Sequence, residues 1–351
     1  MVKYCFMILE KEKKYIPIQM IGTQRSGSNL LRLMLNELDE VVAPHPPHIL
    51  ERFFPLLHYY NDIQNANNFK QLIDDVCKLV ELNPVPWNII LNREIIFQRC
   101  KKHSLIEIFK VLYESLAEQN NNKFWCCKSL ANVYFIDKME DEGLKPYYIY
   151  LFRDGRDVAS SFKKTVVGEK HIYCIAKQWK REQELSLNFC NKIGNPRTIK
   201  IKYEDFIQNP EKTIHDICDL IKIKYSNKVL KYYESQESKS TAQSGTMWKN
   251  VVKPVIKNNF NKYTLELTEN EIAIFESVAG DYLEKLGYKT NNICNSKKII
   301  LNENTIKEFN KLNEELKSKA IENTPNEDLL KRKPQNDLIY NIKKRLISET
   351  L

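Results

Sequence analysis

Glycine is scarce in this sequence, and the features of a membrane or secreted protein are missing. Only 9 of the 351 residues are glycine, so those that stand between an apolar run and a helical run mark turns that need them. No apolar run approaches the length of about 18 residues that crosses a membrane. Residues 1–14 lack the apolar length and the cleavage site of a signal peptide. We therefore expect a cytoplasmic protein without a transmembrane segment.

The cysteines have none of the spacings that bind metal ions. Nine are present, an odd number, and no C-x-x-C pair or zinc-type combination with histidine occurs. This pattern predicts reduced, mostly buried thiols and no metal site. The net charge of +9 fits an anionic ligand, nucleic acid or an acidic membrane face without choosing among them. No nucleic-acid-binding module is present, so we expect no nucleic-acid partner.

Short apolar runs alternate with longer amphipathic ones through the first 290 residues. The short runs are nearly continuous in apolar character, as in parallel strands buried on both faces, and lie at 16–21, 125–127, 147–152 and 198–201. Helices are predicted at 28–38, 104–119, 131–141, 157–166, 171–191, 210–223 and from 268 towards Gly287. Capping-box spacings at Ser104/Glu107 and Thr268/Glu271 support two of them. The alternation predicts an α/β fold with a central parallel sheet flanked by helices.

The composition changes after Tyr288. Residues 291–351 are rich in Asn, Lys and Glu, with two amphipathic segments and a proline-containing polar break between them: 306–321, 338–347 and the break at 323–337. We predict one domain over 1–290 and a helical C-terminal extension over 291–351. The helices of this extension are candidates for pairing two copies of the chain.

The first candidate site is the loop Gly22-Thr-Gln-Arg-Ser-Gly-Ser-Asn29, between a predicted strand and a predicted helix. Backbone amides of a turn that enters a helix point at one spot, where the helix dipole adds partial positive charge. The glycines let the backbone approach an anion. Arg25 adds a planar cation suited to oxyanions. Further side-chain donors are Ser26, Ser28 and Asn29.

One difference separates this loop from the Walker A loop of ATP-binding proteins. The glycine spacing fits G-x-x-x-x-G-K-[ST], but Ser28 occupies the lysine position. The missing lysine removes the group that reaches the β- and γ-phosphates of ATP. A kinase or other P-loop phosphotransferase is therefore the alternative hypothesis. It would need Mg²⁺ and an acidic residue at a strand end, for which Asp154 is the one plausible residue.

A second basic turn, Arg153-Asp-Gly-Arg-Asp-Val-Ala-Ser-Ser161, follows the predicted strand at 147–152. Arg153 at the strand end and Ser161 in the following helix can converge on one phosphate. Two other interpretations are open for this segment. Arg156 and Asp157 can form a structural salt bridge, or the run can be a solvated charged turn.

Together the two turns resemble those of the sulfotransferase family, which uses 3′-phosphoadenosine 5′-phosphosulfate (PAPS). In that family the first loop binds the 5′-phosphosulfate. An arginine followed, after seven residues, by a serine binds the 3′-phosphate, and Arg153 and Ser161 have this spacing. The similarity covers roughly residues 15–290. Further segments resemble family segments in the same order: Phe124-Trp-Cys-Cys-Lys128, Lys202-Tyr-Glu-Asp-Phe206, Ser244-Gly-Thr-Met-Trp-Lys249 and Glu284-Lys-Leu-Gly-Tyr288.

The resemblance implies a P-loop-like fold, PAPS as sulfuryl donor and in-line transfer to an acceptor hydroxyl. Cofactor-binding residues carried over by position are Arg25, Ser26, Gly27, Ser28, Asn29, Arg153, Ser161 and, near the adenine, Tyr203. Arg25 and Lys128 are the implied catalytic cations. The implied acceptor is a small molecule, glycan or lipid with a hydroxyl group, and peptide tyrosine is also open. Because the helical segment 49–120 contains aromatic clusters, it is the predicted acceptor-pocket region.

Three departures from the animal cytosolic members of the family stand out. Arg25 replaces their first-loop lysine, as in bacterial and tyrosylprotein-type members. Their Arg-Lys-Gly loop has no match before Trp248, where Thr241-Ala-Gln243 stands instead. Leu130 occupies the histidine position of their Lys-x-His pair, so Lys128 lacks that partner.

A catalytic base is not part of either turn. His45 and His48, in Ala43-Pro-His-Pro-Pro-His48, have suitable chemistry for it. In tyrosylprotein-type members a glutamate base follows the first loop and its helix at about this distance, and His45 falls nearest that position. Glu51 is the rival. A third class of function is a nucleotide-binding protein without turnover, which loss of Arg25, Lys128 and any base would favour.

Overall fold

A parallel sheet forms the centre of the computed structural model, which describes residues 15–290, 299 and 301–349. Its strands are β1 Ile16–Gly22, β2 Val41–Val42, β3 Phe124–Cys127, β4 Tyr147–Phe152 and β5 Thr198–Lys202. They lie side by side in the order β2-β3-β1-β4-β5, and each neighbouring pair is parallel. The sequence predicts four of these strands to within one residue. The two-residue β2 is too short to produce a pattern.

Helices cover both faces of this sheet. The α-helices are α1 Ser28–Asn36, α2 Ile49–Phe53, α3 Ala66–Glu81, α4 Arg93–Arg99, α5 Leu105–Gln119, α6 Ile136–Asp141, α7 Gly155–Lys163, α8 Ile172–Ile193, α9 Tyr203–Gln208, α10 Pro210–Ile221, α11 Gln236–Gln243, α12 Tyr263–Glu266, α13 Glu269–Lys285, α14 Glu303–Glu322 and α15 Asn326–Glu349. Shorter 3-10 helices are Phe54–Tyr60, Leu130–Phe135, Asn227–Glu234 and Thr246–Val252. Within the described residues, no helix has the length and apolar character needed to cross a membrane.

The sheet separates two hydrophobic cores. Along β4, Tyr148 and Tyr150 enter the core on one face, while Ile149 and Leu151 enter the core on the other. All four side chains are fully buried. A strand buried on both faces needs helices on both sides, which explains the apolar character of these runs and gives the three layers. The predicted α/β fold with a parallel sheet is confirmed.

Of the two predicted capping boxes, one is complete in the structure and one is not. At the start of α13, the Thr268 side chain accepts the amide of Glu271 and the Glu271 side chain accepts the amide of Thr268, so this capping box is complete. At α5, Ser104 Oγ accepts the amide of Glu107, but the Glu107 carboxylate accepts from the backbone amide of Lys101 and from Lys110 Nζ instead. The second predicted box is therefore only half formed.

The C-terminal segment is more helical than its sequence suggests. The predicted polar break at 323–337 is wrong in extent, since α14 ends at Glu322 and α15 begins at Asn326. Pro334 lies inside α15 at an exposed position. Pro334 has no amide hydrogen to donate to the carbonyl of Leu330, four residues earlier in the helix. Because Leu330 is exposed, water can hydrogen-bond this carbonyl instead. Ile342 of α15 is fully buried against the core of the protein.

The sheet order determines where the predicted site residues meet. The strands β3, β1, β4 and β5 are consecutive neighbours, and their carboxyl ends share one edge. Gly22 pairs with Leu151 at the ends of β1 and β4. Gly22 has φ +125°, and a Cβ there would lie 2.2 Å from the Leu151 carbonyl oxygen. Glycine is therefore required where the first loop leaves the sheet beside the second turn.

Candidate active site

The first loop turns sharply through two residues in the left-handed region. Arg25 has φ 71° and Gly27 has φ 90°. A Cβ on Gly27 would lie 2.4 Å from the ring of Tyr203, so this close contact between the loop and the residue after β5 requires glycine. Ser26 is fully buried, and its Oγ has no hydrogen-bond partner among the described residues.

Arg153 lies at the end of β4, next to the first loop. Its guanidinium is stacked on Tyr203, 4.5 Å from the ring centroid. One nitrogen donates to the Asn259 carbonyl at 2.9 Å and another to the Arg25 carbonyl at 3.3 Å. Its Nε is buried without a partner in the described part of the chain. The Tyr203 hydroxyl accepts a hydrogen bond from Asn259 Nδ2 at 2.6 Å, which fixes the ring under Arg153.

The two turns are joined by a side-chain hydrogen bond. Arg25 Nε donates to Ser161 Oγ at 3.0 Å. The predicted partners Arg153 and Ser161 therefore both contact Arg25, one through its backbone and one through its side chain. Burial and the neighbouring Arg153 and Arg332 lower the pKa of Arg25 to about 10, so its guanidinium is charged at neutral pH.

The salt bridge suggested between Arg156 and Asp157 is wrong. Arg156 instead pairs with Asp154 at 2.7 Å and with Glu276 at 2.7 Å. Asp157 accepts from Arg153 and from the backbone amides of Asn261 and Tyr263 at 2.8 and 2.9 Å. The interpretation of this segment as a solvated turn is also wrong, because these charged side chains are buried.

Lys128 follows β3 and lies on the other side of the first loop. Its side chain is buried, and burial with the nearby Arg32 and Arg25 lowers its pKa to about 7. An anion bound between these cations would raise that pKa. The position is therefore suited to a negatively charged group.

His45, His48 and Glu51 all line the same cleft as the two turns. The backbone carbonyl of His45 accepts from Asn83 Nδ2 at 2.9 Å and Trp87 Nε1 at 2.8 Å. Neither ring nitrogen of His45 has a partner among the described residues. Burial, together with Lys128 and Arg32, holds the pKa of His45 well below 6.5, so the imidazole is neutral at pH 7 and can accept a proton.

His48 and Glu51 form a pair beside His45. His48 Nδ1 lies 3.2 Å from Glu51 Oε2. Burial raises the pKa of Glu51, but the close contact with His48 and the charges of Arg52 and Lys128 outweigh this effect, and the net pKa is lowered. Burial lowers the pKa of His48 despite this carboxylate. The structure thus brings together all three candidate bases.

The cleft shared by these residues is large and basic. Its volume is about 1770 Å³. Eleven lysine and arginine side chains line it, against six carboxylates. The 49–120 segment contributes Glu51, Arg52, Asn83 and Pro84, and α14 and α15 close another side with residues that include Asn313, Asp328 and Arg332. Such a surface fits an anionic ligand of nucleotide size.

Comparison with known proteins agrees with this geometry. A family model described as "Sulfotransferase family" matches residues 17–227. The chain belongs to the sulfotransferase family. Two curated relatives are Protein-tyrosine sulfotransferase A of Caenorhabditis elegans and Protein-tyrosine sulfotransferase 2 of Gallus gallus, 28% identical over 152 residues and 27% over 157. The aligned segments cover 41% and 40% of this chain, and only 39% and 40% of these relatives.

The fold of this sulfotransferase-family chain is also found in a solved structure. The sulfotransferase domain from the curacin biosynthetic pathway is similar with a TM-score of 0.50 and 16% identity. The similarity covers 79% of this chain and 98% of that domain. At this level of identity, the similarity concerns the fold.

The other predicted site residues differ in whether they line the cleft. Ser28 begins α1 and lines the cleft. Asn29 also lines the cleft, and its Oδ1 accepts from Arg32 Nε at 3.4 Å. Ser26 is fully buried within the loop and is absent from the cleft lining. No group of three or more histidine, cysteine or acidic residues suited to a metal ion occurs in the described part of the chain.

The sequence analysis does not identify several residues that contribute to this site. Arg32 is fully buried and bonds the Ala43 carbonyl at 2.8 Å, Glu237 at 2.5 Å and Thr241 Oγ1 at 2.8 Å, which ties the first loop's helix to the segment before His45. Asn259 and Arg332 come from regions without a motif. No local signal marks them, because their partners lie far away in sequence.

Proposed function

We propose that the protein transfers a sulfuryl group from PAPS to an acceptor hydroxyl. The observation that carries this proposal is the convergence of Arg25 and Arg153 from adjacent strand ends, with Arg153 stacked on Tyr203. Two anion-binding groups beside an aromatic ring suit a nucleotide with separate 5′ and 3′ charges. PAPS is such a nucleotide.

The residues present fit this donor. Arg153 lines the cleft, and its Nε is a buried donor without a partner in the described chain. Arg25, Ser26, Gly27, Ser28 and Asn29 would hold the phosphosulfate end. Arg153 and Ser161 would hold the 3′-phosphate, with Tyr203 towards the adenine. When bound, the donor supplies an activated sulfuryl group on a phosphate leaving group.

Charge stabilisation and proton removal fall to different residues. Arg25 and Lys128 lie where negative charge on the sulfonate and leaving oxygens can be stabilised, as cations do in phosphoryl transfer. The acceptor hydroxyl must lose its proton during displacement. His45 is neutral and is the proposed base, with the pair of His48 and Glu51 as rivals.

The acceptor binds, in this proposal, against the 49–120 segment near the candidate bases. Because the two curated relatives are named protein-tyrosine sulfotransferases, peptide tyrosine is the first acceptor to assay. Phenols, carbohydrates and lipid or sterol alcohols complete the panel. The alternative, an ATP-dependent phosphotransferase, is disfavoured since Asp154 caps α7, pairs with Arg156 and does not line the cleft.

Calorimetry tests the donor directly. We expect 3′-phosphoadenosine 5′-phosphate (PAP) to bind more tightly than ATP. Arg153→Ala should weaken PAP by about tenfold or more, because it removes a charge-assisted contact. Arg99→Ala is the control. This substitution removes the same charge, but Arg99 pairs with Glu118 away from the cleft. Tighter binding of ATP, or no loss in Arg153→Ala, would refute the proposed function.

A further inference from the structure

Helix α15 lies outside the segment that matches the family model, yet three of its residues, Asp328, Arg332 and Gln335, line the cleft. The family match ends at residue 227, and α15 spans Asn326–Glu349. Arg332 lines the cleft, with its guanidinium 5.6 Å from the centroid of Trp248. Trp248 in turn contacts His45 edge-on, with ring centroids 4.9 Å apart. Arg332 therefore lies on the side of the cleft that holds the proposed base.

The position of Arg332 is fixed by contacts on both sides of it along the helix. Asp328 accepts the amide of Thr246 at 2.9 Å and its hydroxyl at 2.8 Å. Gln335 is buried and donates to the Leu79 carbonyl at 2.8 Å. Further along, Arg345 pairs with buried Asp75 at 2.8 Å. These contacts attach α15 to the core, so Arg332 belongs to a rigid wall of the cleft.

Arg25 and Arg332 point at the same atom. Arg25 Nη1 and Arg332 Nη2 each lie 3.8 Å from Met247 Sδ. A thioether is a weak acceptor, and Arg332 Nε is buried without a partner among the described residues. Burial lowers the pKa of both arginines, and the charge of Arg332 lowers that of Arg25 further. Two cations thus converge on a weak acceptor, while the nearby carboxylate of Asp328, which raises the pKa of Arg332, accepts hydrogen bonds from Thr246.

We propose that Arg332 binds the sulfonate of the donor together with Arg25. This inference rests on the proposed function, since it assigns a second cation to the group that is transferred. Two guanidinium groups directed at one point can share the oxygens of a single tetrahedral oxyanion, which replaces Met247 Sδ as their acceptor. The 3′-phosphate is assigned to Arg153 and Ser161. In an in-line transfer the sulfonate lies between the 5′-phosphate that leaves and the acceptor hydroxyl, and Arg332 lies on the side of the cleft that holds the proposed base of that hydroxyl.

The test compares two ligands that differ in the sulfonate. Calorimetry at constant ionic strength measures binding of PAPS and of PAP, which lacks that group, to wild type and Arg332→Met. We expect Arg332→Met to weaken PAPS about tenfold or more and PAP by no more than about twofold. Arg332→Lys should restore part of the PAPS affinity because it restores the charge without the planar fork.

Lys333→Met is the matched control, because it removes one charge from the same helix at an exposed position paired with Asp337. It should leave both affinities at the wild-type value. Thermal unfolding of each variant shows whether α15 remains folded. Unchanged PAPS affinity in Arg332→Met, or a parallel loss of PAPS and PAP, overturns the assignment of Arg332. Wild type that binds neither ligand overturns the proposed function itself.

Discussion

Arg25 Nε and Ser161 Oγ are joined by a hydrogen bond of 3.0 Å across 136 positions of sequence. The two residues belong to the turns after β1 and β4, which are neighbouring strands. Arg153 reinforces the same junction by donating to the Arg25 carbonyl at 3.3 Å. Because the turns are bonded to each other, a ligand that spans them meets groups whose relative positions are already fixed, which reduces the entropy lost on binding.

Replacement of Ser161 tests this junction. We expect Ser161→Ala to weaken PAP about threefold to tenfold, because one neutral hydrogen-bonding group is lost. Titration calorimetry measures the effect. Ser160→Ala is the control, since Ser160 Oγ donates to Glu266, whereas Ser161 Oγ accepts from Arg25. It should lower the melting temperature and leave PAP affinity unchanged. Equal loss of affinity in both variants would contradict a specific role for Ser161.

Tyr203 offers a test that separates its ring from its hydroxyl. The ring supports Arg153 and packs on Gly27, while the hydroxyl accepts from Asn259. Tyr203→Ala should weaken PAP about tenfold, because the stacking under Arg153 disappears. Tyr203→Phe should weaken it no more than about threefold.

Tyr233→Ala controls for the loss of a tyrosine outside the cleft, where Tyr233 packs on Tyr232. PAP affinity in this variant should equal that of wild type. If Tyr203→Phe loses as much affinity as Tyr203→Ala, the hydroxyl is the important group and the stacking argument fails.

The sequence predicts the sheet and both turns for a physical reason. Strands buried on both faces are continuous apolar runs, and the turns that follow them need particular residues, such as Gly22 beside the Leu151 carbonyl. The sequence fails where tertiary contacts decide. Pro334 predicts a break but is accommodated at an exposed helical position, and Arg332 gains its role only through contacts with Met247 and Trp248.

Lys128 gives the protein a pH dependence of known sign. Its pKa is about 7 in the folded protein, below the ordinary value of 10.5. Between these values the unfolded chain binds a proton that the folded one does not, so Lys128 makes the free energy of unfolding rise with pH through this window. In Lys128→Met, the measured free energy of unfolding should therefore rise less steeply with pH in this window.

Ligand binding should reverse this shift. A bound anion stabilises the charged ammonium, so PAP binding at pH 8 should take up protons through Lys128. Calorimetry in two buffers of different ionisation enthalpy measures the uptake. Lys128→Met should show less uptake than wild type. Equal uptake in both proteins would mean that Lys128 does not face the bound anion.

Replacement of His45 tests the proposed catalytic base directly. We expect His45→Ala to lower kcat about 100-fold or more, as for loss of a general base, while PAP affinity stays near wild type. Burial holds the pKa of His45 well below 6.5, so its imidazole should stay neutral as the pH falls from about 8 to about 6.5. The kcat of the wild type should therefore not fall through protonation of His45 in this range. His58→Ala, an exposed histidine that packs on Tyr59, is the control. Unchanged kcat in His45→Ala together with a large loss in Glu51→Gln or His48→Ala would move the role of base to that pair.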